Sequence, residues 1–328
     1  MKMRKFGKVT AVLTAMALIC GAAVPAYAQH PETFFRLDSG YKKAGKPLKN
    51  LRFLKEGEYL LSPVSKKNKI DPFFVPSTAG MDALHISGSE QYSEEQFREL
   101  AGQLRELAGD DPVYIIDLRQ ESHGFLNGIP VSWYGNDNEL NIGMNLAEVE
   151  ADEQQRFGSL PGTTITAYSA DSKKSRSMDI PVETWMTEKE LAESEGFSYL
   201  RLPATDHEWA DPELIDEFIA FVKALDTDHV WLHFHCQAGM GRTGTFMCIY
   251  DMMKNPDVPL EDIVLRQAMT GSSYLLYPGI PGEKKREKYR TKSENIRLVY
   301  EYIQENRDSN YEVTWSEWLS AYNTQAAA

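Results

Sequence analysis

Residues 229–235, HVWLHFH, have the near-continuous apolar character of a buried strand, and residues 243–254, TGTFMCIYDMMK, have the periodicity of a helix. Only Cys236-Gln237-Ala238-Gly239-Met240-Gly241-Arg242 separates them. A strand that passes into a helix through a loop this short and glycine-rich constrains the chain more than any other stretch. It aims successive backbone N–H groups and a helix N-terminus at one point, and both favour negative charge. Gly239 and Gly241 let the backbone curl without Cβ clashes, and the sparse side chains leave the centre open for a phosphate. Cys236 then stands at the floor of a positive cup, which favours its nucleophilic thiolate. Arg242 can return over the loop and grip two phosphate oxygens, a bidentate contact that lysine does not match. Thr243 is placed to hydrogen-bond the sulfur. The amides of Gln237, Ala238, Gly239, Met240 and Gly241 are the expected phosphate donors.

Two plainer readings compete. A structural thiol in an ordinary turn does not account for the Cys-x5-Arg-Thr spacing with a preceding histidine. A metal site at His233, His235 and Cys236 fails because strand alternation does not converge these side chains and no fourth ligand completes a zinc set. A cysteinyl-phosphate route also needs a proton donor for the leaving oxygen. ATDHEWADP (204–212) follows another strand of the same expected sheet, and such strand ends share one rim. Asp206 is therefore the candidate general acid; helix capping, its structural alternative, falls better to Asp211 before Pro212. His207 beside it is a candidate substrate contact.

The first 28 residues have a cationic start, an apolar middle and Ala26-Tyr27-Ala28 at the end, the pattern of a secretory signal peptide. Export to a periplasm or the medium is expected, with no membrane association after cleavage. Removing four basic residues (Lys2, Arg4, Lys5, Lys8) and no acids moves the formal charge from -13 to -17. Nucleic acid is excluded as a partner, since phosphate backbones are bound by broad basic surfaces. Cys236 and Cys248 are then the remaining cysteines, so no disulfide framework is expected, and Cys248 reads as a small buried apolar residue.

Helix 93–109 with a Ser N-cap, strand PVYIIDLR, strand 197–204, helix 212–225 and the strand and helix around the loop give an α/β rhythm. Short β pieces, "LRFL" and "EYLL" in 29–60 and others in 141–195, break it. The expected organisation is a main α/β domain (61–140 and 196–328) with a small β-rich unit (29–60 and 141–195).

HCQAGMGRT resembles the signature loop of the protein tyrosine phosphatase superfamily. DLRQESHGFLNGIPVSWYG, ATDHEWADP and WSEWL resemble its bacterial branch of cysteine phytases, the PTP-like myo-inositol phosphatases. The resemblance runs over nearly all of the chain after residue 28. It implies a PTP-like core with a central, mainly parallel sheet flanked by helices, plus a small partial β-barrel domain. It also implies metal-free, cofactor-free, stepwise dephosphorylation of myo-inositol hexakisphosphate. Carried over by motif, Cys236 is nucleophile, Arg242 clamp and Asp206 acid, with His207 and Arg52 of "NLRF" on substrate phosphates. The family often has an aspartate after SWYG; here Asp137 or Asn138 fills that place. Gln237 departs from the common glutamate.

In KKREKYRTK (284–292) six of nine residues are cationic, which suits a densely phosphorylated substrate. Lys285, Lys288 and Lys292 have near-helical spacing, and Lys285 is taken as a substrate contact. Arg119 and Glu121 are expected to pair internally. Two other functions fit the loop alone: a phosphotyrosine or dual-specificity protein phosphatase, and a non-catalytic inositol-phosphate-binding module. Oligomeric state is not legible.

Overall fold

The structure, a computed structural model, describes residues 32–42, 47–55, 74–135, 138–169 and 176–326. The expected signal segment, the "EYLL" strand and Asp137 lie outside the described residues. Elements are numbered along the chain.

The central sheet has five strands in the order β10 (Ser198–Arg201), β4 (Val113–Asp117), β11 (Trp231–His235), β3 (Ile86–Ser89) and β2 (Arg52–Phe53). The first four are parallel and β2 is antiparallel to β3, so the expected mainly parallel sheet is present. Helices cover both faces, and β11 is buried at every residue, as a doubly covered strand must be. On one face α4 (Pro212–Ala224), α5 (Gly241–Lys254), α6 (Leu260–Met269) and α7 (Arg286–Asn306) pack Phe218, Phe246, Ile263 and Val299 against Ile86, Ile116, Leu232 and Phe234. On the other, α1 (Glu94–Ala108) sets Phe97, Leu100 and Leu104 against Val113, Ile115 and Trp231.

Local chemistry explains the helix starts. Ser93 and Gln96 form a reciprocal capping box on α1, worth about 1 kcal/mol. Asp211 occupies the cap position of α4, but its side chain makes no cap bond and Pro212 provides the start. α5 is buried from Arg242 to Met252, so the helix that receives the glycine loop cannot shift without disturbing the core. Cys248 is fully buried there, and burial pushes its thiol well up.

A second, six-stranded mixed sheet stands where the small partial barrel was expected. Its order is β8 (Ser177–Pro181), β7 (Thr164–Ser169), β1 (Phe34–Leu37), β6 (Ile129–Tyr134), β5 (His123–Leu126) and β9 (Trp185–Met186). Helix α2 (Leu146–Phe157) lies near it, and Phe157 joins Leu37, Leu126, Val131 and Ile180 in one cluster. Sheet membership does not follow the sequence boundaries at residues 60 and 140. Arg52–Phe53 belongs to the central sheet, whereas the β5–β6 hairpin belongs to the smaller one. The hairpin turns on Asn127 and Gly128, both at positive φ, the geometry of a tight hairpin turn. Its partner β1 lies far upstream, and local sequence does not encode such distant pairings. α3 (Glu188–Ser194) links β9 to β10, and α8 (Trp315–Ala326) closes the chain.

Candidate active site

Three parallel strands, β4, β10 and β11, end on one rim, and each delivers a part of the site. β11 leads directly into Cys236. Within the loop, Gly239 has φ +69, and a Cβ there would lie 2.3 Å from the Ser89 carbonyl, so no larger residue fits. The loop carbonyls are tied down from outside. Gln237 O accepts from Gln91 N (3.2 Å) and Met240 O from Ser273 N (3.0 Å). Ala238 O accepts from Asn50 Nδ2 (2.8 Å), and Gly239 O from Arg52 Nη1 (2.8 Å). Among the described residues, none of the amides from 237 to 242 donates to a protein acceptor. Fixed carbonyls with unspent amides are what an anion cradle requires. Cys236, 3 % exposed, lines a cavity of about 410 Å³ together with Gln237, Ala238, Met240 and Gly241.

Arg242 is fixed by the other two strand ends. Nη1 and Nη2 meet the Glu121 carboxylate at 2.6 and 3.0 Å, and Nη1 also donates to Ala204 O (3.1 Å). Its Nε is buried with no hydrogen-bond partner among the described residues, leaving a donor for an oxyanion. Although burial pushes Glu121 up, Arg242 and Arg119 hold it well below the usual carboxylate range. The expected Arg119–Glu121 pair forms at 2.9 Å, and Arg119 continues to Asp38 at 2.9 Å.

Asp206 stands at the mouth, with Oδ1 3.4 Å from Arg242 Nη2 and Oδ2 accepting from Asn138 Nδ2 at 3.3 Å. Burial pushes its carboxyl up, making it a weaker acid, but Arg242 outweighs this and holds it below its ordinary value. His207, at φ +64, lines the cavity; burial pushes its imidazole down against the pull of Asp206, and Lys285 and Lys292 add to the effect. Of the two alternatives after SWYG, Asn138 is in the lining.

Three expectations require correction. Arg52 does not face the cavity. Antiparallel pairing of β2 sets it opposite Gly88, and its guanidinium, 4 % exposed, reaches behind the loop to Asn50 O, Gly239 O and Ser272 Oγ. It is a brace for the loop, pushed down to about 10 by burial and so still cationic at neutral pH. The Thr243 hydroxyl makes no hydrogen bond to sulfur or to anything else among the described residues, and its methyl lies toward Gly88. Lys285 precedes the first turn of α7 and is outside the lining, whereas Lys292, almost two turns in, is part of it. Burial pushes Lys292 down to about 8, with Asp206 opposing.

The sequence reading missed Arg36 and the tyrosine wall formed by Tyr134, Tyr274, Tyr277 and Tyr289. Arg36 on β1 donates Nε to Asp38 (3.0 Å), lies 4.7 Å over the Tyr134 ring, and has Nη2 buried without a partner among the described residues. An arginine inside the apolar alternation of FFRL was the available signal. Asp117, His123 and Glu188 bring ligand-type atoms within 4.8 Å of one another. Burial and Arg119 push His123 down, yet Asp117 prevails and it is pushed up to about 9. His123 and Arg201 lie 3.3 Å each from Asp117 and offset its charge.

The model of the PTP-like phytase family, described as inositol hexakisphosphate, matches residues 116–254, from β4 to the end of α5. The PTP-like myo-inositol phosphatase from Mitsuokella multacida, solved with myo-inositol-(1,3,4,5)-tetrakisphosphate, is 37% identical with a TM-score of 0.80. That likeness covers 88% of this chain and 49% of that one. The PTP-like phytase from Bdellovibrio bacteriovorus is 31% identical with a TM-score of 0.60, over 72% of this chain and 86% of that one. Effector protein hopD2 of Pseudomonas syringae pv. tomato is 28% identical over 251 residues, 74% of this chain and 52% of its own length. The chain thus spans about half the length of the Mitsuokella and Pseudomonas proteins but most of the Bdellovibrio one. With the two-sheet α/β architecture, the Cys236 cradle and these likenesses in agreement, the chain belongs to the PTP-like phytase family.

Proposed function

We propose that the protein is a phosphoric monoester hydrolase that removes phosphates stepwise from myo-inositol hexakisphosphate through a cysteinyl-phosphate intermediate. The observation that carries this reading is Cys236 on the cavity floor beneath unspent amides, with Arg242 Nε free and Asp206 at the mouth. The Cys236 thiolate attacks phosphorus as the ester P–O bond breaks, and the Asp206 proton passes to the leaving oxygen. In the second step Asp206 takes a proton from water, water oxygen bonds to phosphorus, and the S–P bond breaks to release phosphate and thiolate. In the free protein Arg242 keeps Asp206 ionised. A bound phosphate dianion takes over Arg242 and repels the carboxylate, which restores the proton that the first step uses.

The walls support this substrate class. Arg36, His207 and Lys292 ring the scissile position with cationic or hydrogen-bonding groups, suited to phosphates that are not being cleaved. The inositol tetrakisphosphate held by the Mitsuokella relative supports this choice. Residues 1–28 support export, which N-terminal sequencing of the secreted protein would test by finding Gln29 first. The function itself is tested by rates on inositol hexakisphosphate and a phosphotyrosine peptide side by side, with acid-quench mass spectrometry of the enzyme. Faster turnover of the inositol ester with a phosphate adduct on Cys236 is expected; preference for the peptide would replace the substrate assignment.

A further inference from the structure

The turn that carries Asp206 is held in an uncommon backbone state. His207 has φ +64, and Asn138, whose side chain reaches Asp206, has φ +77. Non-glycine residues keep left-handed φ only where their surroundings over-determine it. One residue further along each turn stands a glutamate, and both glutamates meet one ammonium. Lys288 Nζ lies 2.6 Å from Glu208 Oε1 and 3.2 Å from Glu139 Oε1. Lys288 is on α7 immediately before Tyr289, which lines the cavity, but is not itself in the lining.

We propose that Lys288 is a positioning residue, a latch that joins the Asn138–Glu139 turn to the His207–Glu208 turn and so keeps Asp206 within reach of the leaving oxygen. Without the ammonium, Glu139 and Glu208 repel one another beside a third carboxylate, in a site that must also admit a polyanion. The turns then separate, and the Asn138–Asp206 hydrogen bond that spans them is lost. The latch acts through Asp206 and therefore rests on the general-acid assignment above. It needs no contact between Lys288 and substrate.

The test measures kcat and KM for a series of aryl phosphates whose phenols range from strongly to weakly acidic. A weakly acidic leaving group depends on the proton of Asp206, and a strongly acidic one does not. Lys288→Gln should lower kcat for the weakest phenol roughly three- to tenfold, as expected for two partly exposed ion pairs. It should change the most acidic one less than about twofold, with KM held. Lys288→Arg should restore most of the loss, and Lys288→Gln should do less harm in a Glu208→Gln background. An equal loss across the series, a change in KM alone, or no change at all overturns the latch. Asp206→Asn separates the two ideas. Steep leaving-group dependence in Asp206→Asn beside a wild-type slope in Lys288→Gln removes the latch and keeps the acid, whereas no dependence in Asp206→Asn removes both.

Discussion

The floor and the walls of the cavity are built by opposite means. The floor is one uninterrupted run, Cys236 to Arg242, in which backbone amides, fixed by the carbonyl bonds on their far side, lie between the side chains of Cys236 and Arg242. The walls come from β1, β6, the turn at Asn138, His207, residues 273–277 and α7, and their working parts are side chains, while Asp206 at the mouth is grouped with the floor. A backbone cradle suits any phosphate monoester, because it touches only the group being transferred. Side chains from separate elements can each be exchanged without disturbing the cradle, so selectivity belongs to the walls. The lesson is that chemistry and specificity are separable in this site.

The separation can be broken experimentally, beginning with the floor. Cys236→Ser should reduce turnover of every phosphate ester on the order of 10⁴-fold or more while substrate still binds, measured by steady-state rates and calorimetric titration. Asp206→Asn should cost about 10²- to 10³-fold on poor leaving groups. Its pH profile supplies the sign. Arg242 holds Asp206 below its ordinary value, so the acid form is lost as pH rises, and kcat/KM should fall from acid toward neutral pH. The substitution should remove that slope.

Wall substitutions should act differently. Arg36→Met and Lys292→Met should each raise KM for inositol hexakisphosphate roughly 10- to 100-fold, the value of a charge-assisted hydrogen bond, and leave a small aryl phosphate nearly unaffected. Equal losses on both substrates would abolish the division between floor and walls. Lys285→Ala, outside the lining, should change KM by less than about twofold.

Behind both regions lies the buried network of Asp117, His123 and Glu188, which joins the two sheets. His123 is raised from 6.5 to about 9, so its contribution to stability is complete below pH 6.5 and disappears as pH rises through 9. Asp117 is lowered from 3.8 to about 2, so its contribution is complete above pH 3.8 and disappears as pH falls through 2. His123→Gln should flatten the alkaline arm of melting temperature against pH, an effect on the order of 3 kcal/mol for the shift of His123. An unchanged alkaline arm would mean that His123 does not carry that charge.

Much of this molecule was legible in the chain. Helix α1 announced itself by Ser93 and its apolar spacing, and the strand–loop–helix at Cys236 announced both fold class and reaction class. The sheet assignment of β2 and of the β5–β6 hairpin was not legible, because strand pairing is set by partners far away in sequence. Arg52 shows the consequence for function. Motif placed it on substrate, but its pairing opposite Gly88 turned it to the back of the loop. Lys285 and Lys292 differ in role because α7 begins after the first and carries the second into the cavity.

Sequence alone determined that Cys236, the glycine loop and Arg242 share one site, since glycine freedom, a helix start and a five-residue spacing act over one continuous stretch. It also determined that Asp206 belongs on the same rim, because parallel strands release their C-terminal ends on one side. Only the tertiary structure decided which cations face the cavity, that Glu121 anchors Arg242, and that Lys288 pairs with Glu139 and Glu208 beside the turns of Asn138 and Asp206. Those outcomes depend on distances between segments remote in the chain, and such distances are settled by packing.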